Sequence, residues 1–189
     1  GPMPVHPAET RRTRWTLRSE AAIGSSALVD RVLHARGLAD PAAATAFLDC
    51  TLMHLHEPSA LPDADKACER IALAMKSSEP IVIYGDYDVD GITATAILYH
   101  MIRHLDPNAS VRCYVPHRLD EGYGLNADAL RALSAEGAKV VISVDCGITA
   151  VEEARAAREA GIDLIITDHH NPRSDGVLPE PFALVHPRL

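Results

Sequence analysis

Three aspartates at alternate positions, Asp86, Asp88 and Asp90, follow the apolar run Ile81-Val82-Ile83-Tyr84 and are closed off by Gly91. In extended backbone, alternate side chains share a face, so three carboxylates would crowd together unless a turn splays them. Neighbouring carboxylates raise one another's pKa, and a divalent cation held by hard oxygen ligands relieves the repulsion. The plainer alternative is a surface Asp-Gly turn with solvated charges. Two more clusters carry the same kind of chemistry, Asp145-Cys146-Gly147 and Asp168-His169-His170. Taken singly, Asp145 could cap a helix and the histidines could be satisfied loop groups. Taken together, several carboxylates with one or two imidazoles suit Mn²⁺ or Mg²⁺, and a bridging Asp could hold two ions about 3.5–4 Å apart. Such a pair can ionise a water and stabilise the oxygens around phosphorus, which is the chemistry of phosphate-ester or anhydride hydrolysis.

These residues need elements to position them. Apolar β-branched runs predict strands over 81–84, 111–115, 140–144 and 164–167, with the strands apolar on both sides. Helical periodicity and stop signals predict helices over 27–36, from Pro41 through Leu48, and over 64–75, 92–104, 127–136 and 150–160. The 64–75 helix would turn Ala67, Ile71, Leu73 and Ala74 toward the core. Strands alternating with helices imply right-handed crossovers, so the expected fold is α/β, a mainly parallel Rossmann-like sheet flanked by helices. A short helical N-terminal appendage precedes it. In such a sheet the C-terminal strand ends lie along one edge, where ligands bind at the reversal of strand order. The clusters follow the first, third and fourth strands, so they converge there.

Length and composition set outer bounds. A chain of 189 residues has room for one domain with an appendage. Gly1 and Pro2, ahead of Met3, read as the remnant of a cleaved tag, residues 3–61 as the helical appendage and 62–189 as the main domain. A net charge of −8 argues against coating nucleic acid by bulk attraction, but not against nucleic acid as a substrate of an acidic, metal-dependent site. Arg11, Arg12, Arg14 and Arg18 read as a solvated terminal cluster, and Trp15 as a packing anchor. No apolar run reaches the roughly 18 residues of a membrane span and no signal-peptide core follows the N-terminus, so a cytoplasmic location is expected and no membrane partner. Cys50, Cys68, Cys113 and Cys146 lack metal or redox spacing and read as reduced, mostly buried thiols. His100 and His104 are four apart, but without the Glu of a zinc-helix motif they are not read as a second metal site.

Four ordered motifs carry a family resemblance: Gly85-Asp86-Tyr87-Asp88-Val89-Asp90-Gly91, Pro116-His117-Arg118-Leu119-Asp120-Glu121-Gly122-Tyr123-Gly124-Leu125, Asp145-Cys146-Gly147-Ile148-Thr149 and Asp168-His169-His170-Asn171-Pro172. With them the chain resembles the DHH phosphoesterase superfamily, most nearly its single-strand-specific exonucleases. That resemblance implies 5′ to 3′ hydrolysis of single-stranded DNA in recombination and repair, with other repair proteins as partners. It implies that Asp88 and Asp90 each ligate one metal, that Asp145 bridges the pair and that His169 completes the second site. His170 would contact the scissile phosphate, and Asp86 would be a ligand or an acceptor behind the ligands. Tyr84 stands where some members carry a His, which would leave the first ion with fewer protein ligands. Arg118 offers a guanidinium fork for phosphate, and Tyr123, between Gly122 and Gly124, could stack on a base or pack in a tight turn. Thr93 and Thr95 could help hold a phosphate or act as caps. Superfamily members supply a further Asp downstream and a C-terminal substrate-binding domain, so the sequence reads as an N-terminal piece expected to bind metal weakly and to degrade DNA poorly. The alternatives are a phosphodiesterase of the superfamily acting on very short RNAs or cyclic dinucleotides, a pyrophosphatase, and a non-catalytic relative that binds single strands or protein partners.

Overall fold

A computed structural model describes residues 27–116 and 124–189. Arg118, Tyr123, Trp15 and the N-terminal arginines lie outside these residues. The chain divides into two units, Gly1–Leu55 and His56–Leu189. In the first, α1 (Leu28–Ala35) and α2 (Pro41–Leu48) are followed by a 3₁₀ turn, Leu52–His54. Asp40 caps α2 by accepting from the Ala43 N–H at 2.8 Å, and Pro41, which has no N–H to lose, opens its first turn.

The second unit holds α3 (Ala64–Lys76), β1 (Ile81–Tyr84), α4 (Val89–Leu105), β2 (Val111–Tyr114), α5 (Ala127–Ala135), β3 (Val140–Val144), α6 (Val151–Glu159), β4 (Asp163–Thr167) and β5 (Ala183–Val185). All five described strands are parallel, in the order β2-β1-β3-β4-β5. The order reverses between β1 and β3, whose C-terminal ends carry two of the three acidic clusters. The two-residue strand period sorts the side chains into two layers. Ile81, Ile83, Val140, Ile142 and Ile165 face Ala67 and Ala74 of α3 and Ile102 of α4. Val82, Tyr84, Val141, Leu164 and Ile166 face Leu130 and Leu133 of α5 and Ala154 and Ala157 of α6. Each large apolar side chain so buried is worth roughly 1.5–3 kcal/mol, which makes the three central strands a rigid base for the loops at their ends.

The fold matches the expected class, with local corrections. β2 is an edge strand, so Arg112 and Cys113 on it are exposed rather than apolar and covered. Leu73 is 52% exposed, because Ala67 and Ala74, a full two turns apart, define the buried line of α3 and Leu73 falls off it. Of the cysteines only Cys146 is buried; Cys50, Cys68 and Cys113 are exposed free thiols, since they sit on solvent-facing positions rather than on the core stripe. Helix α4 begins at Val89, three residues earlier than its apolar periodicity starts, because Asp88 is its N-cap. Strand β5 was not expected: three residues between proline-rich loops give no readable period. It forms because β4 offers an open edge, and the Leu184 N–H donates to Asp63 Oδ2 at 2.9 Å at the start of α3.

Candidate metal centre

The β1–α4 turn separates the three aspartates instead of stacking them on one face. Asp86 is 1% exposed; its Oδ1 accepts from the Tyr87 N–H at 2.7 Å, while Oδ2 is buried with no hydrogen-bond partner. Asp88 caps α4, its Oδ1 accepting from the Gly91 N–H at 2.9 Å. Asp90 lies in the first turn of α4 and lines an open cleft of about 310 Å³ with Ala94, Asp145, Thr167, Asp168 and His169. A surface turn of solvated charges does not bury Asp86 in this way.

Asp145 follows β3 with φ +63°, a left-handed conformation that costs a non-glycine residue energy and is held by its surroundings. Its N–H donates to the Thr167 carbonyl at 2.9 Å, extending the β3–β4 ladder, and the Ser143 hydroxyl donates to the Cys146 carbonyl at 2.9 Å. Gly147, φ +120°, has its Cα close to Ile166, Ser143 and Leu125, where a Cβ would stand 3.0–3.2 Å from each. Asp145 does not cap the next helix: the N-cap of α6 is Ala150, which makes no side-chain cap bond. The Asp145 carboxylate instead accepts from His169 Nε2 at 2.9 Å. Burial holds its pKa above the ordinary carboxyl value, against the opposing pull of His169.

The loop after β4 turns on Asp168. Its Oδ2 accepts from the Ile148 N–H at 2.8 Å, and its Oδ1 accepts from the backbone N–H groups of His169 and His170 and from His170 Nδ1 at 2.7 Å. Burial opposes its ionisation, but these donors together hold its carboxyl below the ordinary range. The bond to Asp168 in turn raises the pKa of His170. Asp168 thus ties the β3 loop to the β4 loop and orients an imidazole. The sequence shows it only as one residue of a polar triplet, with nothing to separate a buried acceptor from a ligand.

Among the described residues, Asp145, His169 and His170 each offer a ligand atom, all within 4.8 Å of one another. A carboxylate oxygen with imidazole nitrogens, Asp90 in the same cleft and a buried orphan oxygen on Asp86 at the end of β1 are donors of the kind that fit Mn²⁺ or Mg²⁺. His170 also shows the carboxylate–histidine pairing that steers a ring toward a metal or a phosphate. The Thr93 hydroxyl donates to the Val89 carbonyl at 2.7 Å and that of Thr95 to the Gly91 carbonyl at 2.7 Å, so both bond within their own helix. Gly124, φ +84°, accepts from the Tyr84 hydroxyl at 3.2 Å through its carbonyl. Arg118 and Tyr123, expected to bind substrate, lie outside the described residues.

Residues 80–189 match the DHH family, N-terminal domain. The chain is 41% identical over 161 residues to the single-stranded-DNA-specific exonuclease RecJ of Bacillus subtilis (strain 168), an alignment covering 85% of this chain and 20% of that protein. It is also 41% identical over 116 residues to the single-stranded-DNA-specific exonuclease RecJ of Thermus thermophilus, covering 61% of this chain and 16% of that one. Among solved structures, it superposes on the crystal structure of an exonuclease RecJ bound to manganese with a TM-score of 0.59 and 38% identity, over 66% of this chain and 31% of the other. The Thermus thermophilus RecJ structure in complex with Mn²⁺ gives a TM-score of 0.61 at 29% identity, over 82% and 20%. The chain spans about a fifth of the length of the curated relatives it matches.

Proposed function

The chain belongs to the DHH family, and from that footing we propose that it hydrolyses phosphodiester bonds of single-stranded DNA from the 5′ end, with Mn²⁺ or Mg²⁺ as cofactor, in cytoplasmic recombination and repair. The observation that carries the reading is the cluster of Asp145, His169 and His170 at the C-terminal ends of β3 and β4, opening onto a cleft that Asp90 also lines. Relatives that are single-stranded-DNA-specific exonucleases, and two relatives crystallised with manganese, support it.

Asp88 and Asp90 would each hold one ion, Asp145 would bridge them and His169 would complete the second site, with Asp86 accepting from behind. Bound there, divalent ions supply Lewis acidity toward water and toward the phosphate oxygens. The chain's own residues do the rest. Asp168 holds the His170 ring and favours its protonated form, so the imidazole can donate to a scissile phosphate as negative charge develops. Arg118 would grip a neighbouring phosphate and Tyr123 would stack on a base, with the Gly124 backbone and Thr93 near the strand's path. The left-handed Asp145 backbone, held by its surroundings, would present the carboxylate already placed to hold the ions, so little reorganisation would be needed in the reaction.

The test is Mn²⁺ calorimetry on the chain and on Asp145→Ala, followed by cleavage assays on 5′- and 3′-labelled single strands. Wild-type binding that Asp145→Ala weakens at least tenfold, with metal-dependent release from the 5′ end, is expected, on the scale that loss of a metal-site group commonly costs. Equal affinity in the two proteins, or cleavage of short RNA or cyclic dinucleotides in preference to DNA, would overturn the reading.

A further inference from the structure

His186, just past β5, is 0% exposed and belongs to none of the acidic or DHH motifs. Burying an imidazole costs free energy unless both nitrogens are satisfied, and both are. Its Nδ1 accepts from the Arg188 backbone N–H at 3.1 Å. An N–H can only donate, so the ring's own proton sits on Nε2 and is donated to the His170 carbonyl at 2.8 Å. The same segment grips the DHH loop on either side of that bond. The Val185 carbonyl accepts from the Asp168 N–H at 3.2 Å, and the Arg188 guanidinium bonds Asn171 Oδ1. The His169 and His170 side chains are 60% and 46% exposed, so packing does not fix their rings and hydrogen bonds must. Asp168 fixes the His170 imidazole, and His186 holds the His170 carbonyl.

We infer that His186 is a positioning residue: through the His170 carbonyl it sets the backbone from which His169 and His170 are aimed into the cleft. This rests on the reading of that cleft as a metal and phosphate site. A buried polar partner behind a ligating histidine commonly governs metal affinity by 10–100-fold, roughly the scale to expect here.

Two variants separate this role from simple core filling. In His186→Gln the amide nitrogen reaches the position of Nε2 and can still donate to His170. In His186→Asn the amide oxygen can accept from Arg188, but no donor reaches His170. Both bury one amide, so a purely structural role would penalise them alike. In metal-free, ¹⁵N-labelled protein, the wild type is expected to show His186 protonated on Nε2 and a slowly exchanging His170 Nδ1 proton on Asp168. That proton should persist in His186→Gln and broaden away in His186→Asn and His186→Ala. Mn²⁺ affinity, read from the spin-resonance signal of the free ion, should fall about 10–100-fold in Asn and Ala and by less than about threefold in Gln. Survival of the His170 proton in His186→Asn, or a Gln variant as impaired as Asn, would overturn the inference. If the wild type binds no Mn²⁺, the metal-site reading fails, while the metal-free spectra still decide the role of His186.

Discussion

Among single residues, Asp168 is where stability and site geometry meet. Its oxygens accept from Ile148, His169 and His170 together, and its carboxyl pKa is lowered while that of His170 is raised. A lowered carboxyl pKa gives stability that is complete above the ordinary value and lost as pH falls through the depressed one; a raised imidazole pKa gives stability complete below the ordinary value and lost as pH rises through the raised one. The two conditions overlap between about pH 4 and 6.5, the ordinary values of the two groups. Asp168→Asn must turn an amide NH₂ toward one of the donors and should lose about 2–3 kcal/mol, the cost of an unsatisfied buried group that once bonded as a charge. In chelator, the gap in melting temperature between wild type and Asp168→Asn is therefore expected to be widest from about pH 4 to 6.5 and to narrow on both sides. A gap that grows steadily toward alkaline pH would contradict this pairing. The convergence of Asp90, Asp145, His169 and His170 was legible because each follows a strand whose end the topology brings to one edge. Asp168 and His186 were not legible as supports, since their roles lie in which N–H or carbonyl they meet, and periodicity carries no such information.

Among elements, the β1–α4 junction is drawn so tight that a side chain on either Gly85 or Gly91 would collide with it. A Cβ on Gly91 would stand 2.6–2.8 Å from Asp86 Cβ, Cα and N, and one on Gly85 would stand 2.2 Å from Thr95 Oγ1. Gly91→Ala meets backbone that cannot yield without moving Asp86, whereas Gly85→Ala meets a hydroxyl that can be removed. Overpacking of this kind costs typically about 1–3 kcal/mol, and loss of the Thr95 bond to the Gly91 carbonyl about 1 kcal/mol. In denaturant titrations the double variant Gly85→Ala/Thr95→Ala should lose clearly less stability than the sum of the singles, with a coupling of at least about 0.5 kcal/mol, the lower limit for contacting pairs. Strict additivity would mean that the turn is looser than its geometry. The larger elements were readable because apolar runs and helical periods are local properties of the chain. The start of α4 was not, since a cap beats periodicity there, and neither was β5, whose existence depends on the edge that β4 presents.

At the scale of the whole molecule, His56–Leu189 contains every described strand of the sheet and every described residue of the candidate metal centre. The described part of Gly1–Leu55 buries one large apolar side chain, Leu33, while Leu28, Val29, Val32, Phe47, Leu48, Leu52 and Met53 are exposed. Two helices of eight residues with so little covered surface cannot offset the entropy of ordering them, which is about 1–2 kcal/mol per residue for the backbone alone. The sheet unit, by contrast, closes two apolar layers of its own and ties its first helix to its last strand through Asp63 and Leu184. A protein beginning at His56 should therefore unfold cooperatively and keep its Mn²⁺ affinity within about threefold, well inside the 10–100-fold loss expected when a metal site loses a supporting group. The described segment 27–55 alone should give no cooperative transition. A 56–189 protein that melts without a transition would show that these two layers are not what holds the sheet together, and dispersed amide signals from the isolated 27–55 peptide would show that its helices are stable without them. The outcome matters for the proposed chemistry because Asp145, left-handed in backbone and bonded to the Thr167 carbonyl, keeps that conformation only while β3 and β4 stay paired.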